Sequence, residues 1–270
     1  MTPDGTTRMR FRTQSGLGIA YRSRGQGRTI VLLHPVGLCG AFWDPVVAEL
    51  ENEFRLITPD ARGHGDSDVP GEGFGHDDLS DDVAELIRAV GQAPTIVVGC
   101  SMGGMTAQAL SVRAPDLLAG VVIANTAHRR NDQGRATMEQ RAQAALKGMP
   151  TVLHTTLSRW FDAELQVLRP DLVLKARDWL LAADPVVHCW SWRAIRDLNY
   201  ATQLETMRRP AMVIAGLRDQ STPVSAMKDM AATIPGADYR ELDTGHLAPL
   251  EQPAEFAALL RAFANRVHAD

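Results

Sequence analysis

The sequence predicts an α/β fold: a mostly parallel, twisted sheet with helices on both faces and a helical cap inserted late in the chain. Three observations predict it. Continuous apolar, β-branched runs recur at 29–33, 54–58, 95–98, 118–124 and 211–216, the pattern of strands buried on both faces. Segments of helical period lie between most of them, as right-handed parallel crossovers require. From about residue 128 to 207 the pattern stays helical with no evident strand, so the chain divides into a core of 1–127 and 208–270 and an inserted cap of 128–207.

In chain order, residues 7–21 alternate polar and apolar around Ser15-Gly16-Leu17-Gly18, which reads as an opening hairpin. The run 29–33 ends in His34-Pro35-Val36-Gly37, and 41–50 reads as a short helix. The strand 54–58 closes in Pro59-Asp60-Ala61-Arg62-Gly63-His64-Gly65-Asp66-Ser67. Ser80 is placed to cap a helix reaching about Val90, with acids in its first turn. Thr95-Ile96-Val97-Val98 runs into Gly99-Cys100-Ser101-Met102-Gly103-Gly104, and helical sequence follows at once. After the strand 211–216 come a helix near 225–234, a strand at 238–242 and a closing helix from Pro253 to about Asn265. In that last helix Phe256, Leu259, Leu260 and Phe263 share one face.

Composition narrows the function classes. The 270 residues are 45% hydrophobic and 22% charged with a formal net charge of −4, which gives nothing to attract nucleic acid or an anionic membrane. No apolar run approaches a membrane span, and the first residues carry no apolar leader core. The unpaired set Cys39, Cys100 and Cys189 reads as reduced thiols, so a cytoplasmic location is expected. No close spacing of His, Cys, Asp or Glu suggests a metal site, and no glycine-rich phosphate loop suggests a nucleotide, so no cofactor is expected.

Gly99-Cys100-Ser101-Met102-Gly103 between a strand and a helix is a nucleophile-elbow pattern: the serine stands on a strained turn at the carboxyl edge of the sheet. A serine hydroxyl needs a base, and His246 follows the last strand at the same edge. The base needs a carboxylate; Asp219, just after the 211–216 strand, gives the order Ser, Asp, His and is preferred to Asp243, which sits in the base's own loop. The oxyanion would be held by the N–H of Met102 and, because Pro35 has none, that of Val36. His34 reads as a loop-fixing residue, His64 as turn structure and Cys100 as buried filler.

At these residues the sequence resembles the α/β-hydrolase superfamily over essentially its whole length, and within it the 3-oxoadipate enol-lactonases. The matching segments include Asp60–Ser67, Ser101-Met102-Gly103-Gly104-Met105-Thr106-Ala107-Gln108, Ala124-Asn125-Thr126-Ala127, Ile195-Arg196-Asp197 and Gly245-His246 followed by Glu251-Gln252-Pro253. Departures fall at Cys100 and Met102, where leucine is more usual in the family, and in the tryptophan-heavy stretch holding Trp160, Trp179, Trp190 and Trp192. The resemblance implies an α/β-hydrolase fold and cofactor-free opening of a small lactone bearing a carboxylate; the leading reading is hydrolysis of a small lactone or ester. A general carboxylesterase or a C–C bond hydrolase of aromatic ring-cleavage products is the alternative, and a non-enzymatic small-ligand receptor on the same fold is a third. A carboxylate on the substrate asks for a cation under the cap, with Arg129, Arg130 and Arg193 as candidates. Trp190 is the candidate for the pocket wall, the other cap tryptophans reading as core.

Overall fold

The computed structural model describes residues 7–90 and 93–267. Eight strands form one sheet: β1 (Thr7–Arg12), β2 (Gly18–Arg24), β3 (Arg28–Leu33), β4 (Phe54–Pro59), β5 (Thr95–Cys100), β6 (Leu118–Ala124), β7 (Ala211–Gly216) and β8 (Asp238–Leu242). Their spatial order is β1-β2-β4-β3-β5-β6-β7-β8. The β1–β2 hairpin and the β2–β4 pair are antiparallel, and every pair from β4 across to β8 is parallel.

The apolar runs are continuous because both faces of the central strands are covered. Alternate residues of β3 go to opposite sides: Ile30 and Leu32 pack with Trp43, Phe256 and Leu260, while Val31 and Leu33 pack with Leu86, Ala107 and Leu110. The first layer is made by the helices Asp44–Leu50 and Pro253–Val267, the second by His76–Val90, Met102–Arg113 and Val224–Thr233. In the closing helix Phe256, Ala257, Leu260, Phe263 and Ala264 are buried, with Leu259 packed at the margin.

Two local starts differ from the sequence reading. A 3-10 turn, Gly40–Trp43, precedes the helix expected over 41–50. The helix expected to be capped at Ser80 begins at His76, one turn earlier. Asp78 Oδ2 accepts the Gly75 N–H at 2.8 Å there, while Ser80 Oγ turns inward and donates to the Asp77 carbonyl at 2.8 Å.

Between β6 and β7 the chain forms Asp132–Ala145, Pro150–Trp160, Ala163–Leu168, Pro170–Ala182, Pro185–Arg196 and Ala201–Leu204, all helical. Their starts are written in the sequence. Asn131, Asp162 and Asp184 each accept first-turn N–H groups, and Pro150, Pro170 and Pro185 occupy first-turn positions whose N–H is not needed. A bridge between Arg129 and Asn199, with Tyr200 N–H donating to the His128 carbonyl at 2.8 Å, draws the two ends of this stretch together. The helices reach the carboxyl-edge loops: a Cβ on Gly37 would lie 2.8 Å from Leu180, and one on Gly63 would lie 2.6 Å from Val187.

Candidate active site

The turn at Ser101 is held by close backbone approach. A Cβ on Gly99 would sit 2.1 Å from the Gly103 carbonyl, and one on Gly103 would sit 2.1 Å from that of Leu33. Only glycine fits at either position. Ser101 itself takes φ 53 and ψ −117, a conformation L-residues avoid, fixed by its N–H on the Ala124 carbonyl at 3.0 Å and by Thr126 Oγ1 donating to its carbonyl at 2.8 Å.

The three residues proposed from sequence meet. Ser101 Oγ lies 3.0 Å from His246 Nε2, and His246 Nδ1 lies 2.8 Å from Asp219 Oδ2. All three are buried, and the positive end of the helix Met102–Arg113 opens at Ser101. Asp219 Oδ1 accepts the N–H of Ser221 at 2.7 Å and of Thr222 at 2.9 Å, and Oδ2 also accepts Asn125 Nδ2 at 3.1 Å. Burial by itself would push the Asp219 carboxyl up; the charge and hydrogen bond of His246, with the donors at Thr222 and Asn125, more than reverse that and hold it below the usual carboxylate range. With Nδ1–H directed to the carboxylate, Nε2 presents its lone pair to the serine hydroxyl. Asp243 is exposed and paired with Arg218 at 3.0 Å, away from the imidazole.

The loop carrying Val36 is pinned by His34, whose Nδ1–H donates to the Pro35 carbonyl at 2.7 Å and whose Nε2 accepts the Ala61 N–H at 2.9 Å. Desolvation lowers this imidazole to about 4, so it stays neutral and keeps both bonds. Among the described residues, neither the Val36 N–H nor the Met102 N–H is taken by another acceptor, as the first amides of a helix such as that at Met102 allow. His64 Nδ1 faces the Arg62 carbonyl at 3.1 Å, a turn contact, and Cys100 is fully buried beneath the His246 loop.

Above the loop stands His188. A Cβ on Gly37 would be 2.9 Å from its Cε1 and 3.1 Å from its Nδ1. Its Nε2 accepts the Trp192 Nε1–H at 2.9 Å, which puts the remaining proton on Nδ1, and that atom has no partner among the described residues. Burial pushes this imidazole down to about 3.

The residue expected at the pocket wall is not brought to this point. Trp190 meets Phe74 edge-on at 6.3 Å and lies against Gly73, bordering an outer groove whose walls include none of Ser101, Asp219 or His246. The tryptophan that touches the site is Trp160, stacked on the His246 ring at 6.3 Å with its carbonyl accepting the His246 N–H at 3.2 Å. It ends its helix at the site because Asp162 starts the next one. Of the candidate cations, Arg129 is paired with Asp229 at 2.6 Å and Arg193 with Glu139 at 3.0 Å, while Arg130 has no acid within ion-pair distance among the described residues. Among the described residues no group of three or more His, Cys, Asp or Glu could hold a metal ion, and no helix is long and apolar enough to cross a membrane.

The sheet order, the inserted helices and the serine-histidine-aspartate geometry define a hydrolase fold, and the chain belongs to the alpha/beta hydrolase fold family, whose model matches residues 28–253. It is 26% identical to 3-oxoadipate enol-lactonase 1 of Acinetobacter baylyi, over 88% of this chain and 89% of that protein. Among solved structures, a hydrolase from Pseudomonas aeruginosa PA01 matches with a TM-score of 0.91 at 30% identity, covering 96% of this chain and 98% of its own. The enol-lactonase from Burkholderia xenovorans LB400 matches with a TM-score of 0.89 at 28% identity, covering 95% and 100%.

Proposed function

We propose that this protein is a serine hydrolase of small lactones, of the 3-oxoadipate enol-lactone kind, and of small esters, working through an acyl-enzyme without a cofactor. Ser101 Oγ attacks the carbonyl carbon as His246 Nε2 takes its proton. Asp219 holds the imidazole in the required tautomer and stabilises the imidazolium. The N–H groups of Val36 and Met102 receive the oxyanion, in place before charge develops. Collapse breaks the bond to the leaving oxygen, which takes the proton from His246 as enol or alcohol. In a lactone that oxygen stays tethered to the acyl group. Water then attacks the acyl carbon while His246 accepts its proton, and the acid leaves as Ser101 regains its hydrogen. In this reading residues 128–207 act as the cap that closes the site over a small molecule.

The observation that carries the proposal is the Ser101–His246–Asp219 relay, with contacts of 3.0 and 2.8 Å, on a strained turn next to two unoccupied amide donors. The lactone in particular is supported by likeness to the enol-lactonases. A steady-state panel of small lactones, including 3-oxoadipate enol-lactone, beside chromogenic esters tests it. Ser101-dependent turnover with lactones preferred supports the proposal. Preference for simple esters would move the assignment to a general carboxylesterase, and no turnover of either would sink it.

A further inference from the structure

The base stands on residues 243–247, which join β8 to the one-turn helix Ala248–Glu251 and lie beyond the last rung of the β7–β8 ladder. Backbone outside a ladder keeps its place only where its N–H groups find fixed acceptors. The His246 N–H donates to the Trp160 carbonyl at 3.2 Å, a contact supplied by the inserted helices. The Gly245 N–H, immediately before it, donates to Glu251 Oε2 at 2.8 Å. The Leu247 N–H, immediately after it, is close enough to the same carboxyl to favour its charged form.

The loop is gripped from two sides. A Cβ on Gly245 would lie 2.7 Å from the Trp160 carbonyl and 3.0 Å from Glu251 Oε1, so glycine is what lets a carbonyl and a carboxyl close on the chain there. The Glu251 N–H bonds the Leu247 carbonyl at 3.1 Å, and this turn folds the side chain back under the base. Above Glu251 the imidazole has its two working contacts, 3.0 Å to Ser101 Oγ and 2.8 Å to Asp219 Oδ2.

The reaction written above does not use Glu251, and a carboxyl whose side chain is 2% exposed is costly to keep. Burial pushes it above its usual range, against the pull of the two amides and of Arg218. As an ion partner it gains little, because Arg218 Nη2 is 4.0 Å away and that guanidinium already meets Asp162 and Asp243 at 3.0 Å each. Its one short bond is to the amide beside the base. An ionised acceptor makes such a bond about twice as strong as a neutral one. Resting on the hydrolase reading above, we infer that Glu251 is a positioning residue: through the Gly245 amide it sets where the His246 imidazole stands between Ser101 and Asp219.

Two variants of the intact protein test it. Glu251→Gln keeps one acceptor and loses the charge, whereas Glu251→Leu loses both. Fluorophosphonate labelling of Ser101 should slow about tenfold in the first and about a hundredfold in the second, the scale of a group displaced by about 1 Å. On the best ester kcat should fall in parallel while KM stays within about twofold, because the substrate does not touch Glu251. Added to His246→Ala, Glu251→Gln should change the residual labelling by less than about twofold, since a residue acting through the imidazole then has nothing left to place. The proton signal of the His246 Nδ1–H, identified by its loss in His246→Ala, reads the same contact without turnover. Its exchange with solvent should quicken at least about tenfold in Glu251→Leu, and by less in Glu251→Gln, which carries the test if the leucine variant does not fold. Labelling and exchange both unchanged, KM rising while kcat holds, or an equal further loss on top of His246→Ala would each overturn the inference. Variants that melt lower yet keep kcat at a temperature where they are folded would assign Glu251 to stability alone and overturn it too. Quickened exchange in a protein whose Ser101 never reacts would sink the hydrolase reading and leave the positioning role standing.

Discussion

Asn125 Nδ2 donates to Asp219 Oδ2, the same oxygen that faces His246 Nδ1, at 3.1 Å. Asn125 follows β6 directly at φ 48 and sends its amide nitrogen also to the Gly245 carbonyl at 3.1 Å, so one side chain clamps the acid to the loop that carries the base. Asn125→Leu, which keeps the volume and removes the donor, should lower kcat by about ten- to a hundredfold, the scale of one lost hydrogen bond to a charged group. Steady-state kinetics on the best ester checks this; an unchanged kcat would show that Asn125 does not orient the pair.

The acid itself is tested by a pair of variants. Asp219→Asn should cut kcat about a thousandfold or more, because the amide cannot stabilise the imidazolium or fix its tautomer. Asp243→Asn removes only an exposed pair with Arg218 and should stay within about threefold of the parent. The reverse ranking would reassign the carboxylate.

Strain at the nucleophile should be visible in stability. Ser101→Gly and Ser101→Ala both remove the hydroxyl, but only glycine is at ease at φ 53. Chemical unfolding should find the glycine variant more stable than the alanine variant by about 1 kcal/mol. A less stable glycine variant would mean that the turn stores no strain.

Gly103→Ala places a methyl 2.1 Å from the Leu33 carbonyl, and Leu33 is held in register with Gly99 by the β3–β5 pairing. A loss of about 3 kcal/mol or more is expected in urea unfolding. Gly71→Ala, where nothing lies within 4 Å, is the matched control and should change little.

Acid should unfold this protein early. His34, His64, His76 and His188 are all held neutral by burial, at about 4, 3, 4 and 3. Their folded values lie below the unfolded value near 6.5, so the unfolded chain binds more protons. The stabilisation is therefore complete above about pH 6.5 and is lost as pH falls toward 4, at up to about 1.4 kcal/mol per pH unit for each histidine. Urea midpoints should be level from pH 7 to 8 and fall steeply below 6. A midpoint constant down to pH 4.5 would contradict the buried neutral imidazoles.

The sheet was legible because strands covered on both faces must be apolar throughout, as in β3, β5, β6 and β7. Helix starts were less so: Ser80 and Asp78 are both good capping residues, and only the packed structure decides which one faces a free amide. The elbow could be read from spacing because close backbone approach at Gly99 and Gly103 is a local demand. Side-chain partnership is not local. Arg129 and Arg130 are neighbours in sequence, yet one reaches Asp229 and the other no acid among the described residues. Likewise Trp160, and not Trp190, stacks on His246, because the end of one helix and the direction of the next decide which indole reaches the site. The clamp at Asn125 lay within the Ala124-Asn125-Thr126-Ala127 match, but its role follows from a left-handed backbone that spacing does not reveal.

Ser101 as the nucleophile is tested most directly by peptide-mapped mass spectrometry of the protein after brief exposure to a fluorophosphonate at neutral pH. One adduct is expected, on Ser101, formed at a rate that falls by orders of magnitude in His246→Ala and absent in Ser101→Ala. An unmodified Ser101 in a protein that still turns over esters, or equal labelling with and without the imidazole of His246, would contradict it.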